Sequence, residues 1–142
     1  MAGREQGDDR PVAGAFVRDV NLFAADPQRL AAFYSALFGF AEIEAVRSPV
    51  FRCLDAGGVR LGFNGPEAYA LLDLSDRQAP KGTVGCYVTV ELADDAAVDD
   101  AATRAVGLGA TLIKPPCETY YNAWQCVLAD PEDNVFRIQH QR

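Results

Sequence analysis

The first clear rhythm in the chain has a period of two. In "VRDVNLFA", Val20 and Leu22 fall on one side and Asp19 and Asn21 on the other, which predicts a half-buried strand. The rhythm then lengthens. Across "ADPQRLAAFYSALFGF", Leu30, Phe33, Tyr34 and Leu37 recur at helical spacing and form one apolar stripe. Asp26 can cap this helix, Pro27 suits its first turn, and Gly39 can end it. "FAEIEAV", "FRCLDA" and "VRLGFN" return to the strand rhythm. Asp55-Ala56-Gly57-Gly58 joins the last two as a hairpin turn. The order is β-α-β-β-β.

The same order then recurs. "GCYVTVEL" places Val88, Val90 and Leu92 on one strand face. "DDAAVDDAATRAVGLG" reads as a helix capped by Asp94 or Asp95 and closed by Gly107 or Gly109. "ATLIKPP", "WQCVLAD" and "NVFRIQH" supply three more strands. Val88 follows Val20 by 68 positions and Asp130 follows Asp55 by 75, so the extra residues lie around "KPPCETYYNA". Neither unit can bury a sheet face alone. Paired, the two βαβββ modules predict an α+β fold: one curved, mixed, eight-stranded sheet with a helix over each half and a concave cleft. Val20, Leu22, Leu61, Phe63, Val88, Val90, Phe136 and Ile138 are the expected helix-facing positions. Residues 1–11 read as a mobile polar tail and 12–142 as one domain, with module one at about 14–75 and module two at about 82–140. "GPEAYALLDL", after Asn64, reads as a short helical turn that can close one rim with Tyr69, Leu71 and Leu72.

Composition narrows the function classes. A net charge of -7, with no basic stripe, argues against nucleic acid and anionic membranes as partners. No apolar stretch is long enough to span a bilayer, and the N-terminus lacks an apolar signal core, so a cytoplasmic location is expected. Cys53, Cys86, Cys117 and Cys126 show no CxxC spacing and read as free thiols, mostly packing residues. His140 is the single histidine, which rules out a multi-histidine metal site.

Two stretches, "FYSALFGF" and "DPEDNVFRI", resemble "FY..LGF" and "DP.GN..." of the vicinal oxygen chelate superfamily: glyoxalase I, extradiol dioxygenases, fosfomycin-resistance proteins and bleomycin-resistance binders. The resemblance runs from about Phe16 to the end. Asp133 departs from it, where the family often has glycine. In metal-dependent members, ligands come from the first and last strand of each module. The matching positions here are Asp19, Gly62, Tyr87 and Arg137. Glycine carries no ligand atom, tyrosine is a poor ligand at neutral pH, and a guanidinium repels a divalent metal. The resemblance therefore implies a fold whose chelate site is abolished, with no cofactor.

Arg137 then stands where a metal ligand stood. Three roles are open: an ion pair with Asp19 filling the old site, a grip on a polar or anionic ligand, or an exposed edge-strand arginine. A resting Asp19–Arg137 pair that a ligand displaces is the favoured version. Asn21, Arg60 and Asn64 share the cleft face by alternation and are candidate ligand contacts or ordinary polar strand residues. Tyr120, Tyr121 and Trp124 lie in the long connection. They read as ligand cover, as a dimer contact or as loop packing.

Three functions follow. The favoured one is a metal-free protein, like the bleomycin-resistance binders, that holds a small polar or anionic molecule, aromatic ones included. The second is a metal-independent lyase, isomerase or hydrolase using Tyr87, Tyr120 or Tyr121 as acid or base and Arg137 to hold an oxyanion. The third is a glyoxalase-type metalloenzyme built from His140, Asp19, Glu42, Glu91 and Glu118. A homodimer is expected, because an open sheet leaves edges exposed and members of the resembled family commonly pair.

Overall fold

The computed structural model describes residues 8–80 and 82–142. The expected tail, residues 1–11, falls mostly outside the described residues. Each module has the expected order. Module one runs β1 (Asp19–Phe23), α1 (Pro27–Phe38), β2 (Ala41–Glu42), β3 (Phe51–Asp55) and β4 (Arg60–Asn64), followed by the short α2 (Glu67–Leu71). Module two runs β5 (Val88–Glu91), α3 (Asp95–Gly107), β6 (Thr111–Glu118), β7 (Ala123–Ala129) and β8 (Val135–Gln141).

The strands form two mixed four-stranded sheets, ordered β1-β4-β3-β2 and β5-β8-β7-β6. In each, the first and last strands of the module lie parallel at one edge and the remaining pairs are antiparallel. Parallel neighbours need a crossover, and α1 and α3 with the strands after them supply it.

Local chemistry accounts for the helix ends. The Asp26 carboxylate accepts from the Arg29 N–H, and Asp94 accepts from Ala97 N–H. Gly39 ends α1 at φ 75°, a left-handed conformation that costs glycine no Cβ clash. The second strand of module one is shorter than its sequence suggests. It ends at Glu42 and passes into a 3-10 turn, Glu44–Val46, where Arg47 folds back on Glu42.

One core joins the modules. Leu61, Phe63, Phe136 and Ile138 are buried in it, with Val20, Leu22 and Val88 packed alongside. The α1 aromatics reach across the junction: Phe33, Tyr34 and Phe38 all make ring contacts with Phe136 of β8. The Tyr34 hydroxyl also donates to the buried Asp130 carboxylate at 2.7 Å. Asp130 further accepts from the backbone N–H groups of Glu132 and Asn134. The "DPEDN" turn is thereby closed on its own first residue and tied to α1. Asp133 sits at φ 72°, a left-handed conformation that glycine adopts without strain. Among the described residues, no helix is long and apolar enough to cross a membrane.

Candidate functional site

The sheet faces turned away from the helices carry the polar candidates, and the two modules use them differently. In module one, the side chains pair among themselves. Asp19 and Arg60 are register partners on β1 and β4, and their charged atoms lie 3.6 Å apart, beyond hydrogen-bond reach. Arg18 reaches the other Asp19 oxygen at 3.4 Å. The Asn64 amide donates to Asn21 Oδ1 at 3.1 Å. Phe23 stacks on Tyr69 of α2 with ring centroids 3.9 Å apart, so α2 does close this rim; Leu71 and Leu72 point to solvent instead.

Gly62 lies within that face, between Arg60 and Asn64 on β4, and is buried. A Cβ there would sit 2.3 Å from Asn21 Oδ1 and 2.9 Å from the Phe51 ring. The position has no donor atom and no room for one.

Module two keeps a charged group with donors to spare. Arg137 and Thr89 are register partners on β8 and β5. The Arg137 Nε–H donates to Thr89 Oγ1 at 3.0 Å, and Nη1 donates to the Tyr121 hydroxyl at 3.1 Å and to Gln125 Oε1 at 3.4 Å. Tyr121 passes its own proton to Gln125 Oε1 at 2.9 Å. The guanidinium carbon lies 5.3 Å from the centroid of the half-exposed Tyr87 ring. Among the described residues, no carboxylate lies within ion-pair distance of Arg137, and Nη2 has no hydrogen-bond partner.

The expected Asp19–Arg137 pair is therefore not formed. Each residue is held by its neighbour across its own parallel ladder, and no ladder joins β1 to β5. Side chains on adjacent strands meet first because strands are only about 4.8 Å apart. Trp124 also departs from its expected place. It belongs to β7, on the face opposite Gln125, where its indole N–H donates to Asp99 of α3 at 2.8 Å and Arg142 lies over its ring. Tyr120 is fully exposed, with its ring perpendicular to that of Tyr121. Thr89 and Gln125 were absent from the expected site. Alternation within "VTVE" and "WQCVLA" is the signal that puts both on the Arg137 face, and it went unused there.

The residues left for a metal site do not converge. His140 Nδ1 lies 3.0 Å from the Leu92 carbonyl, so it carries the proton and donates. Glu42 binds Arg47, Glu118 binds Arg142, and Glu91 accepts from Gln139 and the Gln141 N–H. Among the described residues, no three His, Cys, Asp or Glu side chains are grouped as ligands. With Gly62 closed and Arg137 cationic, the donor set does not fit a divalent metal.

Two cavities bear on a ligand. One of about 890 Å³ lies on the helix side, between α1 and the β7–β8 turn. Glu132 bridges its walls by accepting from the Ala25 and Asp26 N–H groups, so it reads as a structural junction. The other, about 310 Å³, lies at the seam between the modules, with Arg60, Thr89 and Glu91 in its wall. Val20, Leu61 and Val88 of the helix-facing side also line it, and Arg137 is not part of its wall.

The comparisons agree with this architecture. The model of the glyoxalase-like domain matches residues 16–139. A glyoxalase/bleomycin resistance protein/dioxygenase family enzyme from Burkholderia phytofirmans PsJN is 44% identical, with TM-score 0.87 over 90% of this chain and 100% of that one. A glyoxalase-related enzyme from Fulvimarina pelagi is 20% identical, with TM-score 0.73 over 88% of this chain and 87% of that one. Lactoylglutathione lyase from Agrobacterium tumefaciens is 20% identical, with TM-score 0.67 over 92% and 95% of the two chains. The last two likenesses concern the fold alone. No curated protein matches. The chain belongs to the glyoxalase-like domain family, within the vicinal oxygen chelate superfamily.

Proposed function

We propose that this protein binds a small polar or anionic molecule without a metal, on the module-two sheet face, with Arg137 as the anchor. One observation carries the reading: a guanidinium is fixed in place by neutral acceptors, among the described residues no carboxylate lies within ion-pair distance of it, and Nη2 remains open. A half-buried cation needs compensation, and here the compensating anion is the ligand's to provide. The protein acts in the cytosol, as a pair of identical chains whose exposed Phe16, Val17, Val84 and Tyr87 offer contact surface.

A second reading has its own support. The Tyr121 hydroxyl lies 3.1 Å from Arg137 Nη1, which sets a proton-carrying group beside an oxyanion-holding one. That arrangement suits a metal-independent lyase or isomerase.

Mass spectrometry of the native protein, purified without a histidine tag, tests both. A small anion should co-purify with wild type and be missing from Arg137→Met. Recovery of the compound unchanged after incubation supports binding, and conversion supports catalysis. Stoichiometric metal at the module seam, or an anion retained equally by the variant, contradicts the proposal.

A further inference from the structure

We infer that the ligand group held at Arg137 is a monocarboxylate, gripped by two donors, Arg137 Nη2 and the Thr89 hydroxyl; this rests on the proposed Arg137 anchor. The argument begins with the proton on Thr89. Its oxygen already accepts from Arg137 Nε–H at 3.0 Å, and among the described residues no acceptor takes its own O–H. A hydroxyl that accepts from a cation keeps its proton for another partner. Register fixes the pair, because Thr89 and Arg137 sit directly opposite each other on parallel strands. Both groups lie on the sheet face turned away from the helices, where Thr89 is exposed and Arg137 half-buried, so a ligand can reach them from solvent. One carboxylate oxygen can take the Nη2 donor while the other takes the Thr89 hydroxyl. This arrangement matches two acceptor oxygens to two fixed donors.

The charge at the site selects a monoanion. Arg137 is a single open cation, because Arg60 faces Asp19. Glu91 lies two residues from Thr89 on the same face of β5, and its carboxylate is locked by Gln139 and the Gln141 N–H. A phosphate dianion would meet one cation and one fixed anion, in a protein of net charge -7. A carboxylate is the class that fits.

The test uses calorimetric titration with benzoate, benzamide and inorganic phosphate. Benzoate should bind wild type, benzamide should bind at least about tenfold more weakly, and phosphate should not compete. Thr89→Val, which keeps the shape and removes the donor, should weaken benzoate about tenfold, the size of one hydrogen bond to a charged group. Thr89→Ser should restore binding, with unchanged circular dichroism in both. Arg137→Met should abolish it. If Arg137→Met abolishes binding while Thr89→Val binds like wild type, the Arg137 anchor stands and the two-donor site fails. Phosphate binding tighter than benzoate overturns the monocarboxylate assignment. Absence of benzoate binding, or binding unaffected by Arg137→Met, overturns the assignment and counts against the anchor beneath it.

Discussion

Replacing Arg137 with methionine should cost little stability, and the structure sets the size. The substitution removes three hydrogen bonds of 3.0, 3.1 and 3.4 Å. The longest contributes least. In a dry site the other two would each be worth about 1.5–3 kcal/mol. Arg137 is only half-buried, so water can replace it at Thr89, and the Tyr121–Gln125 bond survives without it. Methionine also keeps most of the apolar stem. The expected loss is about 1–2 kcal/mol, or roughly 3–6 °C in melting temperature for a domain of this size. A buried Asp19–Arg137 pair would instead cost about 3–5 kcal/mol on losing one partner. Asp19→Asn should cost about 1 kcal/mol, since it disturbs the Arg60 and Arg18 contacts. Denaturant melts of both single variants and the double variant complete the cycle. Additivity within about 0.5 kcal/mol is expected, because the two residues share no partner. A coupling above about 1.5 kcal/mol, or a single-variant loss near 4 kcal/mol, would refute this reasoning.

Four further outcomes are expected. Gly62→Ala should destabilise by about 1–3 kcal/mol, because the new methyl meets Asn21 and Phe51; adding Asn21→Ala should recover part of it, as thermal melts will show. Burial, with Asp130 adding to it, pushes the Tyr34 hydroxyl above the usual tyrosine range. Above about pH 10 the unfolded chain loses this proton and the native one does not, so stability falls with pH there. Tyr34→Phe should remove that part of the slope and cost about 1–2 kcal/mol at neutral pH, read from urea melts across pH. In thiol titration with an aromatic disulfide, Cys86, which is exposed, should react first. Cys126, buried and pushed up to about 11, should react only on unfolding; fast reaction of a second, buried thiol counts against the core described. Sedimentation at tens of micromolar should show a dimer, and a clean monomer would contradict the proposed pairing.

Much of the fold was legible in the residue pattern, because its causes are local. Period-two alternation assigned Val20, Leu22, Phe136 and Ile138 to the core face, since consecutive side chains on a strand must point opposite ways. Asp26, Pro27 and Gly39 marked the ends of α1, since caps and left-handed turns depend on a few neighbouring atoms. Alternation also put Arg137 on the polar face. By the same rule Trp124 belongs with Cys126 and Leu128, on the helix side; reading it as part of the connection missed this.

What the pattern does not carry is the partner of each polar group. Asp19 and Arg137 are complementary in charge and lie on the first strand of module one and the last strand of module two, two of the positions matched to the family's metal ligands, so a pair looked natural. The choice depends on distances between strands. Each ladder brings one specific neighbour close: Arg60 to Asp19 and Thr89 to Arg137. The separation of the two sheets depends instead on how α1 packs its aromatics against Phe136 of the other module. That packing joins residues about a hundred positions apart, so no local window of sequence contains it. The alternation decided which way Arg137 faces, and only the long-range core decided what it meets.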